Sequence, residues 1–207
     1  ALSSELNALF AENGYQNLGW GDVGKARIFS RSPIRRPADL QSARPWAWRD
    51  DVVFSQFLQT VGANPVRLGV PEVYPALQTG QVNVVPSSAL AAVSLQWHTA
   101  LTHVTQQSSS IIIGATIVRK ETVDGLPEAQ RTALRETAAR AHTLLTRAIR
   151  RDDDRAYNTI LERGITAVDT DPHRSEWEQA GERTRNALVG RLYSRELLQR
   201  VERAAGR

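Results

Sequence analysis

The chain has 207 residues, 41% of them hydrophobic and 23% charged, with a net charge of +4 carried almost entirely by Arg. That is enough for one large or two small domains with a real core. The absence of Cys excludes disulfides, thiolate metal sites and Cys nucleophiles, and no apolar run approaches the roughly 20 residues of a membrane-spanning helix.

Ser3 to Glu12 carries Leu6, Leu9 and Phe10 at helical spacing, and Asn13–Gly14 ends that helix. Tyr15 to Trp20 reads as a strand, Gly21 to Gly24 as a turn, and Ala26 to Ser30 as a second strand. The stretch from Pro33 to Trp97 then organises the chain. It holds strand-like runs at Arg44–Trp48, Pro65–Val70 and Val82–Pro86. Helical runs follow them at Asp51–Val61, Glu72–Leu77 and Ala89–Trp97. Strands alternating with helices predict βαβ units and a mostly parallel sheet, whose ligands bind beyond the carboxyl ends of the strands.

Ile111 to Val118, rich in Ile, Thr and Val, predicts a long buried strand. From Glu128 to Glu162 the helical pattern is almost unbroken, and Gly164 stops it. Such a helix spans roughly 50 Å, long enough to brace two lobes. Ile165–Asp169 is a short strand. Ser175 offers a cap for a helix over Glu176–Leu188, and a last helix covers Arg195–Ala205.

The basic residues are spread along the chain. Their densest set, Arg147, Arg150, Arg151 and Arg155, is interleaved with Asp152, Asp153 and Asp154. That reads as a solvated helix face, so no nucleic-acid partner is expected. Consecutive carboxylates on a helix point about 100° apart, which argues against a cation site. His98, His103, His142 and His173 lack metal-ligand spacing, and no G-x-S-x-G, G-x-G-x-x-G or P-loop sequence occurs. No metal, cofactor or catalytic residue is expected.

The candidates for a binding site are Trp20, Trp46, Trp48 and Trp97, with Asn83, Ser87 and Ser88. Each has an alternative role. The Trp residues can be core, Ser87 and Ser88 can cap the helix at Ala89, and Asn83 can satisfy buried backbone. Trp46 and Trp48 share one face of a strand and can point to one site. Glu72 opens its helix as a dipole-stabilising carboxylate, and Trp177 reads as packing.

The segments PIRRPADL, GANPVRLGVPEVYPALQTGQVN, LQWH, DGLPEAQRTAL, LERGITAV and ALVGRLYSRELLQRV resemble the solute-binding proteins of tripartite ATP-independent periplasmic (TRAP) transporters. The resemblance covers essentially the whole chain. It implies an α/β, periplasmic-binding-protein-like fold of type II, with two lobes, a long bracing helix and an incomplete first lobe. Residues 1–32 are then the remnant of the first lobe with the crossover strand. Residues 33–118 form the second α/β lobe, and 119–207 the bracing helix and C-terminal helices packing on the first lobe.

It also implies a periplasmic binding protein, not an enzyme, that hands a small organic acid to membrane permease subunits. The family strand after the DL-x-G segment usually carries an Arg that grips the ligand carboxylate, and Trp46 stands at the matching position. Asn83 replaces a common Asp, and Ser87–Ser88 an Asn-Pro element. These departures fit a larger or more hydrophobic organic ligand held by aromatic faces. The chain has no Met, so it does not start at an initiator, and a signal peptide is not within it. The missing part of the first lobe leads us to expect a fragment, a cleaved chain or a subunit. A partner or second copy then completes the lobe, and the alternative function is that of a non-transporting interaction protein.

Overall fold

The computed structural model describes residues 2–206. Helix α1 (Ser3–Glu12) leads into β1 (Tyr15–Ser30), a single strand of 16 residues. The sequence pattern breaks this stretch at Gly21–Gly24, but the strand runs through. Register shifts at Asn17–Gly19 and Asp22–Gly24 absorb the glycines against a long antiparallel partner.

The expected alternation follows: β2 (Trp46–Trp48), α2 (Val52–Thr60), β3 (Val66–Leu68), α3 (Val70–Thr79), β4 (Val84–Ser87) and α4 (Ala89–Ser94). Local chemistry starts the helices. Asp51 accepts from the Phe54 N–H at 2.9 Å, Glu72 from the Gly69 N–H at 2.6 Å, and Ser88 from the Ala91 N–H at 3.2 Å. Helix α4 stops before Trp97, because Gln96 takes a left-handed conformation (φ 60°) and a 3₁₀ turn follows over Trp97–Ala100.

The chain continues through β5 (His103–Thr105), β6 (Ser110–Arg119), α5 (Lys120–Asp124), α6 (Glu128–Glu162), β7 (Thr166–Val168), α7 (Arg174–Leu188) and α8 (Arg195–Ala204). The short strand β5 has no counterpart in the sequence reading. Helix α6 is one continuous helix of 35 residues with the expected bounds. Helix α7 starts before the expected cap: His173 holds the N-cap position and Ser175 lies inside the helix.

Strands β2 and β3 are parallel, and a parallel bridge between Pro45 and Val84 joins them to β4. Strand β1 is antiparallel to β4 and β5, and β5 is parallel to β7. Helices α2 and α7 cover one face of this sheet over Ile28, Leu40, Ala47 and Leu58. Helices α3, α4 and the end of α6 cover the other over Phe29, Val85, Trp97 and Ile160. Ile28 and Phe29 go to opposite layers, as the two-residue period of a strand requires.

Beyond the sheet, residues 15–26 of β1 pair with β6 as a two-stranded antiparallel ribbon. Here one expectation is corrected. Strand β6, paired with this outer end of β1, is not buried. Ile111, Ile113 and Ile117 are 43%, 67% and 43% exposed. An apolar strand face is buried only where a further layer lies on it. Helix α1 reaches Trp20 through Phe10, and α6 reaches Gly19 and Gly21 through His142. Alternate Ile residues of β6 stay open.

Helix α7 lies on α2, with Trp177 stacked on Phe57 at 6.0 Å between ring centres, while α8 meets α1 through Arg200 and Glu5 at 2.7 Å.

Candidate functional site

The parallel strands β2, β3 and β4 end at Trp48, Leu68 and Ser87, which sets their carboxyl ends along one edge of the sheet. In the antiparallel register Arg27 of β1 lies opposite Ser87. Followed back toward Tyr15, β1 therefore leaves the sheet past this same edge and becomes the ribbon. The edge faces the region between sheet and ribbon.

Trp48 closes β2 on this edge and is 51% exposed. Beside it Arg49 pairs with Glu72 at 2.9 Å. Val52, Val53 and Val70 are exposed on the neighbouring helix starts. Trp46 behaves differently. It is 7% exposed, packs edge-on against Trp97 with ring centres 5.3 Å apart, and donates its Nε1–H to the Leu68 carbonyl at 3.0 Å. Trp46 and Trp97 are buried side chains beneath the edge. A shared strand face does not give a shared environment: Trp46 has α3 and the 3₁₀ turn over it, whereas Trp48 lies past their cover.

Ser87 and Ser88 are buried at the end of β4. Ser87 donates to the Ser88 carbonyl at 3.0 Å and Ser88 caps α4. Asn83 sits before the amino end of β4, on the opposite edge, where its Oδ1 accepts from the Arg44 N–H at 2.7 Å. Its side-chain oxygen is thereby engaged by backbone. Trp20 lies on the ribbon, half-buried, with its ring centre 5.9 Å from that of Phe10. The structure thus gathers Trp48, Ser87 and Ser88 at one edge with Trp46 and Trp97 beneath, and leaves Asn83 and Trp20 elsewhere.

Asp153 escapes the sequence reading. It lies in a run of acids expected to be solvated, yet it is 1% exposed. Its oxygens accept from the Lys25 and Leu90 N–H groups, both at 3.0 Å. Arg27, also buried, has Nη1 4.0 Å from Asp153 and lies over the Tyr157 ring at 4.1 Å. The available signal was the spacing of Arg150, Asp153, Asp154 and Tyr157, which puts all four on one helix face.

The basic side chains around the strand crossing are matched by acids. Lys25 pairs with Asp154 at 2.5 Å and Arg150 with Asp22, whose hydrogen bond holds the Arg150 guanidinium above its usual pKa. Two surface hollows, of about 510 and 410 Å³, are lined by residues of α2 with α7 and of β7 with His103. Neither is lined by Trp48, Ser87 or Ser88. Among the described residues, no three His, Asp or Glu side chains converge as metal ligands, and no helix is long and apolar enough to cross a membrane.

Residues 1–188 match the model of a protein family described as bacterial extracellular solute-binding protein, family 7. The chain belongs to this family. This family 7 chain is 25% identical over 180 residues to the C4-dicarboxylate-binding periplasmic protein DctP of Rhodobacter capsulatus, covering 86% of the chain and 53% of the relative. It is 27% identical over 183 residues to the 2,3-diketo-L-gulonate-binding periplasmic protein YiaO of Escherichia coli (strain K12), covering 84% and 52%. Among solved structures, a TRAP periplasmic solute-binding protein from Sulfitobacter sp. NAS-14.1 with bound β-D-galacturonate superposes with a TM-score of 0.86 at 19% identity, over 92% of this chain and 64% of that one. The family 7 chain spans about half the length of the curated relatives it matches.

Proposed function

We propose that this chain is the ligand-binding part of an extracytoplasmic solute receptor of the TRAP type. In this reading it works in the periplasm, without catalysis, and captures a small organic acid or a more hydrophobic organic ligand for a membrane permease. The observation that carries the reading is the carboxyl edge of β2, β3 and β4, set where β1 crosses from sheet to ribbon and braced by a 35-residue helix. A binding protein needs such a crossing, because closure of two lobes over a ligand supplies the differential affinity that a permease reads.

The chemistry of the edge supports the less polar end of this ligand range. Trp46 fills, with an indole buried in the core, the position where the family resemblance puts a carboxylate-gripping Arg. The exposed group is the Trp48 face, and Arg49 is already paired. Such an edge offers an apolar surface and neutral hydrogen-bonding groups.

Titration calorimetry of wild type and Trp48→Ala against galacturonate, succinate and benzoate tests the proposal. Binding of at least one acid by the wild type is expected. A loss of about 1–2 kcal/mol is expected for benzoate in the variant, the scale of a lost aromatic contact. Identical affinities in both proteins count against a ligand at this edge.

A second reading is favoured by the open ribbon. Ile111, Ile113 and Ile117 form an exposed apolar face, and such faces attract partners. In that reading a partner or second copy completes the lobe.

A further inference from the structure

We infer that Asp153 is the positioning residue of the ligand edge: its carboxylate ties the end of β4 and the start of α4 to the crossing strand β1 and to the bracing helix α6. The inference rests on reading the carboxyl ends of β2 to β4 as the ligand edge. Its physical basis is separate.

Three elements meet at this point in near-backbone contact. Gly24 of β1 has φ +123°, which only glycine adopts readily. A Cβ there would lie 2.6 Å from Ser88 Cβ and 2.8 Å from Asp153 Cγ. The strand passes between the edge and the helix with no room for a side chain. Directly after this contact, Asp153 Oδ2 accepts from the Lys25 N–H, and Oδ1 accepts from the Leu90 N–H, each at 3.0 Å.

Leu90 is in the first turn of α4, where an amide has no acceptor within the helix. Ser88 satisfies Ala91 in the same turn. The turn that carries Ser87 and Ser88 is thus completed by a carboxylate from α6, 63 residues further along the chain.

A buried carboxylate is costly unless it is both hydrogen-bonded and charge-compensated. Here the compensating charge comes from β1 and is seated on α6. Arg27 Nη1 stands 4.0 Å from Asp153, and its guanidinium rests on the ring of Tyr157, four residues on. Asp154, by contrast, is exposed and pairs with the Lys25 side chain. The two neighbouring acids therefore have separable roles, one positioning main chain and one pairing a surface charge.

Amide hydrogen exchange by NMR on the whole chain, without ligand, tests this. The variants are Asp153→Asn, Asp153→Ala and, as control, Asp154→Asn, each corrected for its change in global stability by urea unfolding. In the wild type the Leu90 amide should be protected, and rapid exchange there overturns the inference without any variant. Asp153→Ala should speed exchange of both Lys25 and Leu90 by roughly tenfold, the scale of one lost hydrogen bond to a charged acceptor.

Asp153→Asn, nearly isosteric, keeps one acceptor oxygen and should expose one amide of the two. A packing role alone predicts no change in this variant. If Asp153→Ala does not fold, the Asn comparison decides. Protection of both amides within about twofold of wild type in Asp153→Asn overturns the inference. A chain that shows the two-amide signature yet binds none of the acids keeps Asp153 as the tie between β4, β1 and α6 and loses the ligand reading.

Discussion

Trp46 and Trp48 stand two apart on one three-residue strand and have opposite fates. The first is a core ring against Trp97, and the second a half-exposed face at the sheet edge. Trp46→Ala is therefore expected to cost about 3–5 kcal/mol of stability, the range for a large ring removed from a packed core. Trp48→Ala is expected to stay within about 0.5 kcal/mol. Urea unfolding followed by circular dichroism checks both, and similar losses in the two variants would contradict the assignment. Gly19 supplies a second test. A Cβ there would lie 2.2 Å from the His142 ring, so Gly19→Ala is expected to cost about 1–3 kcal/mol by overpacking. Adding His142→Ala should recover part of that loss in a double-mutant cycle.

Helix α6 has the bounds that its periodicity predicts, but its anchorage is uneven. Asp153, Ala156 and Ile160 are its buried residues, all in the last third, while Leu144 and Leu145 are 65% and 47% exposed. A helix held at one end by tertiary contacts opens more readily at the other. Amides in 131–148 are expected to exchange faster than those in 152–162. Ile160→Ala should cost about 2–5 kcal/mol, and Leu144→Ala no more than about 0.5 kcal/mol. Uniform protection along the helix would show that the ribbon grips it as firmly as the sheet does.

At the level of the whole chain, the sheet is covered on both faces and the ribbon is not. Strand β6 presents Ile111, Ile113 and Ile117 to solvent, and Leu6 and Leu9 of α1 are exposed as well. A long apolar edge strand whose one charge, Arg119, stands at its end is a template for pairing. The chain by itself is expected to self-associate as its concentration rises, seen by sedimentation velocity. Ile113→Lys should reduce the association without lowering stability, because that side chain has little packing to lose. An unchanged sedimentation profile in the variant would move the association to another surface.

Much of this architecture can be read from local pattern alone. The alternation from Pro33 to Trp97, the 35 residues of α6 and the acidic helix starts at Asp51 and Glu72 follow from periodicity and the helix dipole, which act over one or two turns. The family follows from the segments spread between them. What local pattern misses has a common cause in contacts between distant residues. The glycines of β1 read as a turn because their strand partner lies about ninety residues later. The Ile residues of β6 read as buried because burial depends on which layer covers a strand, not on its composition. At the site, Trp46 and Trp48 look alike until α3 and the 3₁₀ turn cover one of them. Asp153 shares its helix face with Asp154, so helical spacing alone does not single it out. Only the packing of α6 against β1 and α4 turns one carboxylate of three inward, where two main-chain amides from different elements need an acceptor.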